Sequence, residues 1–148
     1  MDDANWYSPK IEIKKLSEDA TVPTRANDAD AGWDLYVPHD FLIPSQTRAL
    51  VPTHIAMGIP SGYVGLIWDR SGLAVKQGVH RFAGVIDSGY RGEVKICLWN
   101  SSEKDVHFRK GERIAQILFQ AVPSCGLIQV EELDTTDRGE GGFGSSGK

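Results

Sequence analysis

Several residues in this sequence have the chemistry to act on a phosphorylated ligand. Asp87 stands in the segment Gly84-Val85-Ile86-Asp87-Ser88-Gly89-Tyr90-Arg91-Gly92-Glu93. A carboxylate there could hold a water in line with a phosphorus atom and take its proton, because both tasks need only hydrogen-bond reach. The same aspartate could equally organise a turn with Ser88-Gly89. Ser71 follows Arg70 at the expected start of a helix, where backbone N–H groups and the dipole favour anions and a hydroxyl can donate to a phosphate oxygen. A plain N-cap would use the same residue. Gln116 by itself reads as a polar residue on the exposed face of a strand.

These residues must be carried by β-structure. Short runs with two-residue alternation recur at Lys10–Leu16, Thr47–Val51, Tyr63–Trp68, Glu93–Trp99, Ile114–Phe119 and Leu127–Leu133. In Glu93–Trp99, Val94, Ile96 and Leu98 fall on one face and Lys95, Cys97 and Trp99 on the other. Turn formers such as Pro44-Ser45, Pro60-Ser61-Gly62 and Ser101-Ser102 separate the runs, which predicts an all-β sandwich, barrel or jelly roll. One helix is expected over Ser71–Gln77, opened by Ser71, resting on packing and closed by Gly78. Past Leu133 the periodicity stops, and residues 134–148 turn charged and then rich in Gly and Ser, as a flexible arm would. The stretch 142–148 matches both GxGxxG and GxxxxGK, but each pattern needs a preceding strand and a following helix, and the sequence supplies neither there. What survives is that its glycines let backbone amides approach phosphate oxygens, with Ser145, Ser146 and Lys148 as added donors.

Composition narrows the class. A chain of 148 residues is enough for one core, and a net charge of −4 argues against sequence-independent nucleic-acid binding, which needs a basic face. Cys97 and Cys125 stand in no Cys/His cluster of zinc spacing and are read as reduced packing residues. No signal-peptide pattern and no apolar stretch near the roughly 20 residues of a membrane span occur, so a soluble, cytoplasmic protein without membrane contact is expected.

Five segments taken together carry a resemblance. Ala31-Gly32-Trp33-Asp34-Leu35, Asp69-Arg70-Ser71-Gly72-Leu73-Ala74, the Gly84–Glu93 segment, Gly111-Glu112-Arg113-Ile114-Ala115-Gln116, and the stretch 138–147 from Arg138 resemble, in order and spacing, the motifs of the homotrimeric dUTP pyrophosphatase (dUTPase) family. The likeness runs from about Lys10 to the C-terminus. It implies a jelly-roll-like β-barrel or sandwich over residues 1–133, with an arm of residues 134–148 that closes a neighbouring subunit's site. About 15 residues at roughly 3.3 Å each can span some 45 Å, far enough to reach another chain. It also implies a Mg2+-dependent hydrolysis of dUTP to dUMP and diphosphate, limiting uracil in DNA and supplying dUMP for dTMP synthesis.

The resemblance assigns roles residue by residue. Asp87 would hold the attacking water and touch the sugar 3′-hydroxyl, and Asp34 would hold waters of the magnesium ion. Tyr90 would pack beneath the deoxyribose and exclude a 2′-hydroxyl, and main-chain groups of a hairpin around Phe82–Ile86 would read uracil. Ser71, Arg70 and Gln116 would contact the phosphates, with Gly72, Gly84, Val85, Ile86 and Lys95 in the substrate-binding set. In the arm, Phe143 would stack on uracil while Arg138, Gly144, Ser145 and Ser146 grip the terminal phosphate. The sequence departs from many family members at Phe82, at Gly89, at Ser146 and at Trp68-Asp69 before Arg70, which leaves the role of Asp69 open. A dCTP deaminase of related fold, and a regulatory protein that uses dUTP as a signal, are the alternatives.

Overall fold

A computed structural model of the chain describes residues 8–145. The strands run in the order β1 (Glu12–Lys15), β2 (Trp33–Tyr36), β3 (Phe41–Ile43), β4 (Arg48–Val51), β5 (Ile55–Gly58) and β6 (Tyr63–Trp68). The helix α1 (Ser71–Gln77) follows, then β7 (Val79–Phe82), β8 (Val85–Ile86), β9 (Ile96–Asn100), β10 (Val106–Phe108) and β11 (Arg113–Ala121). They pair as β2-β11-β6-β8, β4-β9-β7, β1-β5 and β10-β3. All strand pairs are antiparallel, and the product is an all-β, jelly-roll-like body with one short helix. Among the described residues no helix is long and apolar enough to cross a membrane.

The alternation read from Glu93–Trp99 holds in space: Val94, Ile96 and Leu98 are buried, Lys95 is exposed, and Cys97 and Trp99 are partly covered. With Leu35, Val37, Ile55, Ile59, Ile67, Ile114 and Ile117 they form one apolar core. Two buried polar groups knit the loops around it. Asn100 donates to the carbonyls of Ile43, Pro44 and Lys104, and Thr53 donates to the Val94 carbonyl at 2.6 Å.

Three local differences from expectation have physical causes. Ser71 is the first helical residue and not the cap; Arg70 occupies the N-cap position with extended backbone and no side-chain cap bond. Gly78 does close the helix in left-handed conformation at φ 66°, as expected. The stretch around Phe82–Ile86 is not a paired hairpin, because β7 bonds to β9 and β8 bonds to β6. The chain crosses between the two sheets through Ala83 (φ 58°) and Gly84 (φ 116°). At Gly84 a Cβ would sit 3.1 Å from the Ile67 carbonyl oxygen, so the crossing needs glycine. Leu127–Leu133, expected as a strand, forms none: Leu127, Ile128 and Leu133 are 97%, 86% and 84% exposed, with no strand of the same chain beside them. Alternation marks a segment able to pair, but pairing still requires a free edge within reach.

A bulge shapes the fourth motif. Against β2, Arg113 faces Tyr36 but Ala115 faces Leu35, so Ile114 is one residue too many. Residues 113 and 116 would lie on opposite faces of a regular strand; the bulge turns Arg113 and Gln116 toward the same cleft.

Candidate active site

Most expected site residues fall into two clefts. The larger, about 790 Å³, is lined by Gly32, Asp34, Asp69, Arg70, Ser71, Gly72, Arg113 and Gln116 among others. Nearly every polar side chain in it is engaged. Asp34 Oδ1 accepts from Arg70 Nε at 3.1 Å and its Oδ2 from Arg113 Nη1 at 3.2 Å. Gln116 donates through Nε2 to the Asp69 carbonyl at 2.8 Å. The glutamine side chain lies across Gly32, where a Cβ would come within 2.0 Å of its Oε1, so the first motif requires glycine there. Ser71 and Gly72 face this arginine-rich cleft from the uncapped first turn of α1.

The second cleft, about 400 Å³, is lined by Leu50, Val85, Ile86, Asp87, Tyr90, Glu93 and Lys95. Asp87 is exposed, and its carboxylate has no hydrogen-bond or ion-pair partner among the described residues. The Asp87 carbonyl takes the Tyr90 N–H at 3.1 Å, closing a turn that aims the side chain outward. So the turn-forming role is real, but it is filled by the main chain and leaves the carboxylate free. Tyr90 is held at its hydroxyl end: the hydroxyl donates to the Glu93 carbonyl at 2.9 Å, and that end of the ring lies where a Cβ on Gly92 would be. Glu93 accepts the His54 N–H at 2.9 Å and stands 3.6 Å from Lys95 Nζ.

Strand β8 is an edge. The Ile67 N–H donates to the Gly84 carbonyl at 2.8 Å, and the register pairs Gly65 with Ile86 and Leu66 with Val85. Antiparallel pairs alternate between bonded and non-bonded, so Gly84 and Ile86 face β6 while the Val85 N–H and C=O point along the free edge.

No lining residue is common to the two clefts. The arm joins neither. Arg138 Nε donates to the Gly141 carbonyl at 2.8 Å, Ser145 N–H to Gly142, and Phe143 (φ 50°) and Gly144 (φ 89°) form a turn with the Phe143 ring fully exposed. Ser146 lies outside the described residues.

Arg113, Gly32, Glu93 and Asp69 were not among the assigned residues, although each falls inside a motif. The bulge that brings Arg113 in leaves Ile114 and Ala115 both buried, but Ile117-Leu118-Phe119 in the same strand is also continuously apolar, so the residue types alone do not mark it.

By fold the protein is a jelly-roll β protein. A family model described as dUTPase matches residues 18–147. A deoxyuridine 5'-triphosphate nucleotidohydrolase of Debaryomyces hansenii is 49% identical over 140 residues, 93% of this chain and 88% of the relative. The dUTPase of Staphylococcus bacteriophage 80alpha, solved with dUpNHpp, superposes with a TM-score of 0.90 at 32% identity, covering 95% of this chain and 100% of the phage chain. A variant dUTPase from phage phi11 of S. aureus, whose structure reveals the coordination of a structural Mg(II) ion, gives a TM-score of 0.80 at 27% identity over 86% of this chain and 100% of that one. The chain belongs to the dUTPase family.

Proposed function

We propose that the protein hydrolyses dUTP to dUMP and diphosphate at sites assembled between the subunits of a homotrimer. The observation that carries this reading is the separation of the motif residues into two clefts with no lining residue in common. A single chain holds two half-sites, and a ring of like chains brings the Asp87 cleft of one to the arginine-rich cleft of the next. The arm, residues 134–148 beyond a body of residues 1–133, closes the site from a further subunit. Phe143, with its ring fully exposed, stacks there on uracil, and Arg138, Gly144, Ser145 and Ser146 hold the terminal phosphate. The exposed Leu127–Leu133 stretch is apolar enough to lie against a neighbour.

In the assembled site the free Asp87 carboxylate holds a water and takes its proton as the oxygen attacks the α-phosphorus. The bond from that phosphorus to the bridging oxygen breaks, and diphosphate leaves. Arg70, Ser71, Gly72 and Gln116 bind and orient the phosphates. On the base side, the edge of β8 offers one donor and one acceptor at Val85, flanked by Gly84, Ile86 and Lys95. Uracil can satisfy that pair with a carbonyl and its N3–H, whereas cytosine presents an acceptor at N3; sites built this way reject the wrong pattern by about 10⁴–10⁵. The Tyr90 ring, anchored at its hydroxyl, packs beneath the deoxyribose and excludes a 2′-hydroxyl.

Magnesium fits the arginine-rich cleft as an ion held through water. Among the described residues no three acidic, His or Cys side chains converge, so no inner cage is available. Asp34 spends one lone pair on each oxygen with an arginine and keeps the others for ion-bound waters. When bound, the ion supplies neutralisation of phosphate charge. Free Cys97 and Cys125 suit a reducing, cytoplasmic setting.

The test is a panel of dUTP, dCTP, dTTP and UTP with Mg2+, scored for diphosphate and ammonia. Diphosphate from dUTP alone is expected. No diphosphate from dUTP would overturn the reading, and ammonia from dCTP would replace it with deamination.

A further inference from the structure

Asp69 presents a problem of charge. It lines the cleft proposed to receive a polyanion, yet its carboxylate is turned away from it toward β7. Oδ2 lies 2.5 Å from His80 Nδ1, and Oδ1 accepts the Arg81 N–H at 2.8 Å. The loop is fastened a second time where the Arg81 guanidinium stacks 4.8 Å over the Trp68 ring. The Asp69 main chain points the other way, its carbonyl accepting from Gln116 Nε2 at 2.8 Å. Gln116 is therefore held between that carbonyl and the space that Gly32 leaves for its Oε1. Arg70 and Ser71 follow Asp69 directly, so a loop fastened at residue 69 also fixes where the helix and the Asp34 partner begin.

We infer that Asp69 is a positioning residue of the proposed reaction: by fastening the loop between β6 and α1 to β7, its carboxylate sets the Gln116 amide that orients the phosphate chain. This rests on the dUTP-hydrolysis reading for its kinetic consequence but not for the placement of Gln116. The carboxylate needs two acceptor contacts, one from a backbone N–H and one from an imidazole nitrogen. An amide can keep both, accepting at one end and donating to the imidazole at the other. Alanine keeps neither.

The experiment compares wild type, Asp69→Asn, Asp69→Ala and His80→Ala in the full chain. Two readouts are taken: kcat and KM for dUTP, and the side-chain amide resonances of Gln116, identified by their loss in Gln116→Leu. In Asp69→Ala, kcat should fall roughly ten- to a hundredfold, the range of a misplaced positioning group, while KM changes less than about threefold. The Gln116 resonances should shift in Asp69→Ala and return near native in Asp69→Asn, with kcat restored to within about threefold. An unchanged kcat with an unchanged Gln116 amide in Asp69→Ala would overturn the inference. Equal impairment of the asparagine and alanine variants would also overturn it, because charge and not hydrogen bonding would then matter. If Asp69→Ala does not fold, His80→Ala decides, since that side chain is more than half exposed and its loss spares the core. A shifted Gln116 amide there supports the role and a native one refutes it. Inactivity of the wild-type chain would refute the reaction, and the amide resonances would still decide the positioning.

Discussion

The two clefts of this chain differ in how far their polar groups are already committed. In the arginine-rich cleft Asp34, Arg70, Arg113, Gln116 and Asp69 each have a partner in the same chain. In the other cleft the Asp87 carboxylate and the outer edge of β8 have none among the described residues. On the proposed reading, the groups that bind a phosphate chain are held in place beforehand, because preorganised donors cost no rearrangement during reaction. The groups proposed to meet a water and a base are left unpaired, because a carboxylate already accepting from an arginine is a poorer base. The difference separates variants in advance. Changes at Asp87 and the β8 edge should cost rate without stability, and changes in the committed cleft should cost both.

The largest effect belongs to the free cleft. Asp87→Asn should lose at least the roughly 10²–10⁴-fold in kcat typical of acid–base groups, with an unchanged melting temperature and dUTP still bound. Near-normal turnover would remove Asp87 from the reaction. Next comes a chain ending at Asp137. Among the described residues, the arm hydrogen bonds from Arg138 onward are internal to the arm, so the body should assemble and melt as before. Turnover of dUTP should nevertheless fall about a hundredfold, as expected when a positioning element is lost. Full activity without the arm would show that closure is not needed.

Asp34→Ala probes the committed cleft. It strands Arg70 and Arg113 together, and losing hydrogen bonds to charged groups costs about 1–3 kcal/mol, read as a lowered melting temperature. The magnesium concentration needed for half-maximal rate should rise roughly 10–100-fold, the scale of lost outer-shell groups. An unchanged magnesium requirement would mean that the carboxylate serves the arginines alone. Smaller again is Gly32→Ala. Its Cβ would sit 2.0 Å from Gln116 Oε1, so the glutamine must swing aside. The expected cost is about 1–3 kcal/mol of overpacking and roughly tenfold in kcat, less than a rigid 1 Å misplacement would take.

What could be read from the residues follows the same division. Strand β6 and helix α1 were legible to the residue, one from alternation and the other from Gly78 in its left-handed position. The buried face of Val94, Ile96 and Leu98 was legible for the same reason. Strands β3 and β10, three residues each, are too short to show a period. The bulge at Ile114 breaks alternation by a single residue, and with it Arg113 escaped notice. The engagement of Asp69 with His80 and Arg81 joins the loop after β6 to β7 of another sheet, which no local pattern encodes. Leu127–Leu133 shows the opposite case, an alternation visible in the residues that pairs with no strand among the described residues.

The smallest effect tests whether charge at the free cleft acts at a distance or by contact. Lys95 is about half exposed, and its Nζ stands 3.6 Å from Glu93 Oε2. Pairs of this kind are worth about 0–1 kcal/mol, and Glu93 keeps the His54 N–H when the lysine is removed, so no buried charge is stranded. Lys95→Ala should therefore melt within about 1 °C of wild type, well under the shift that 1 kcal/mol brings. Its loss does remove a positive charge from the rim that a polyanion must cross. At low ionic strength kcat/KM for dUTP should fall by about two- to fivefold through slower encounter. At 1 M salt the screening length shrinks to about 3 Å, and the variant and wild type should converge. A deficit that persists in high salt would mean that Lys95 touches the bound nucleotide directly, as its place in the lining of the cleft allows.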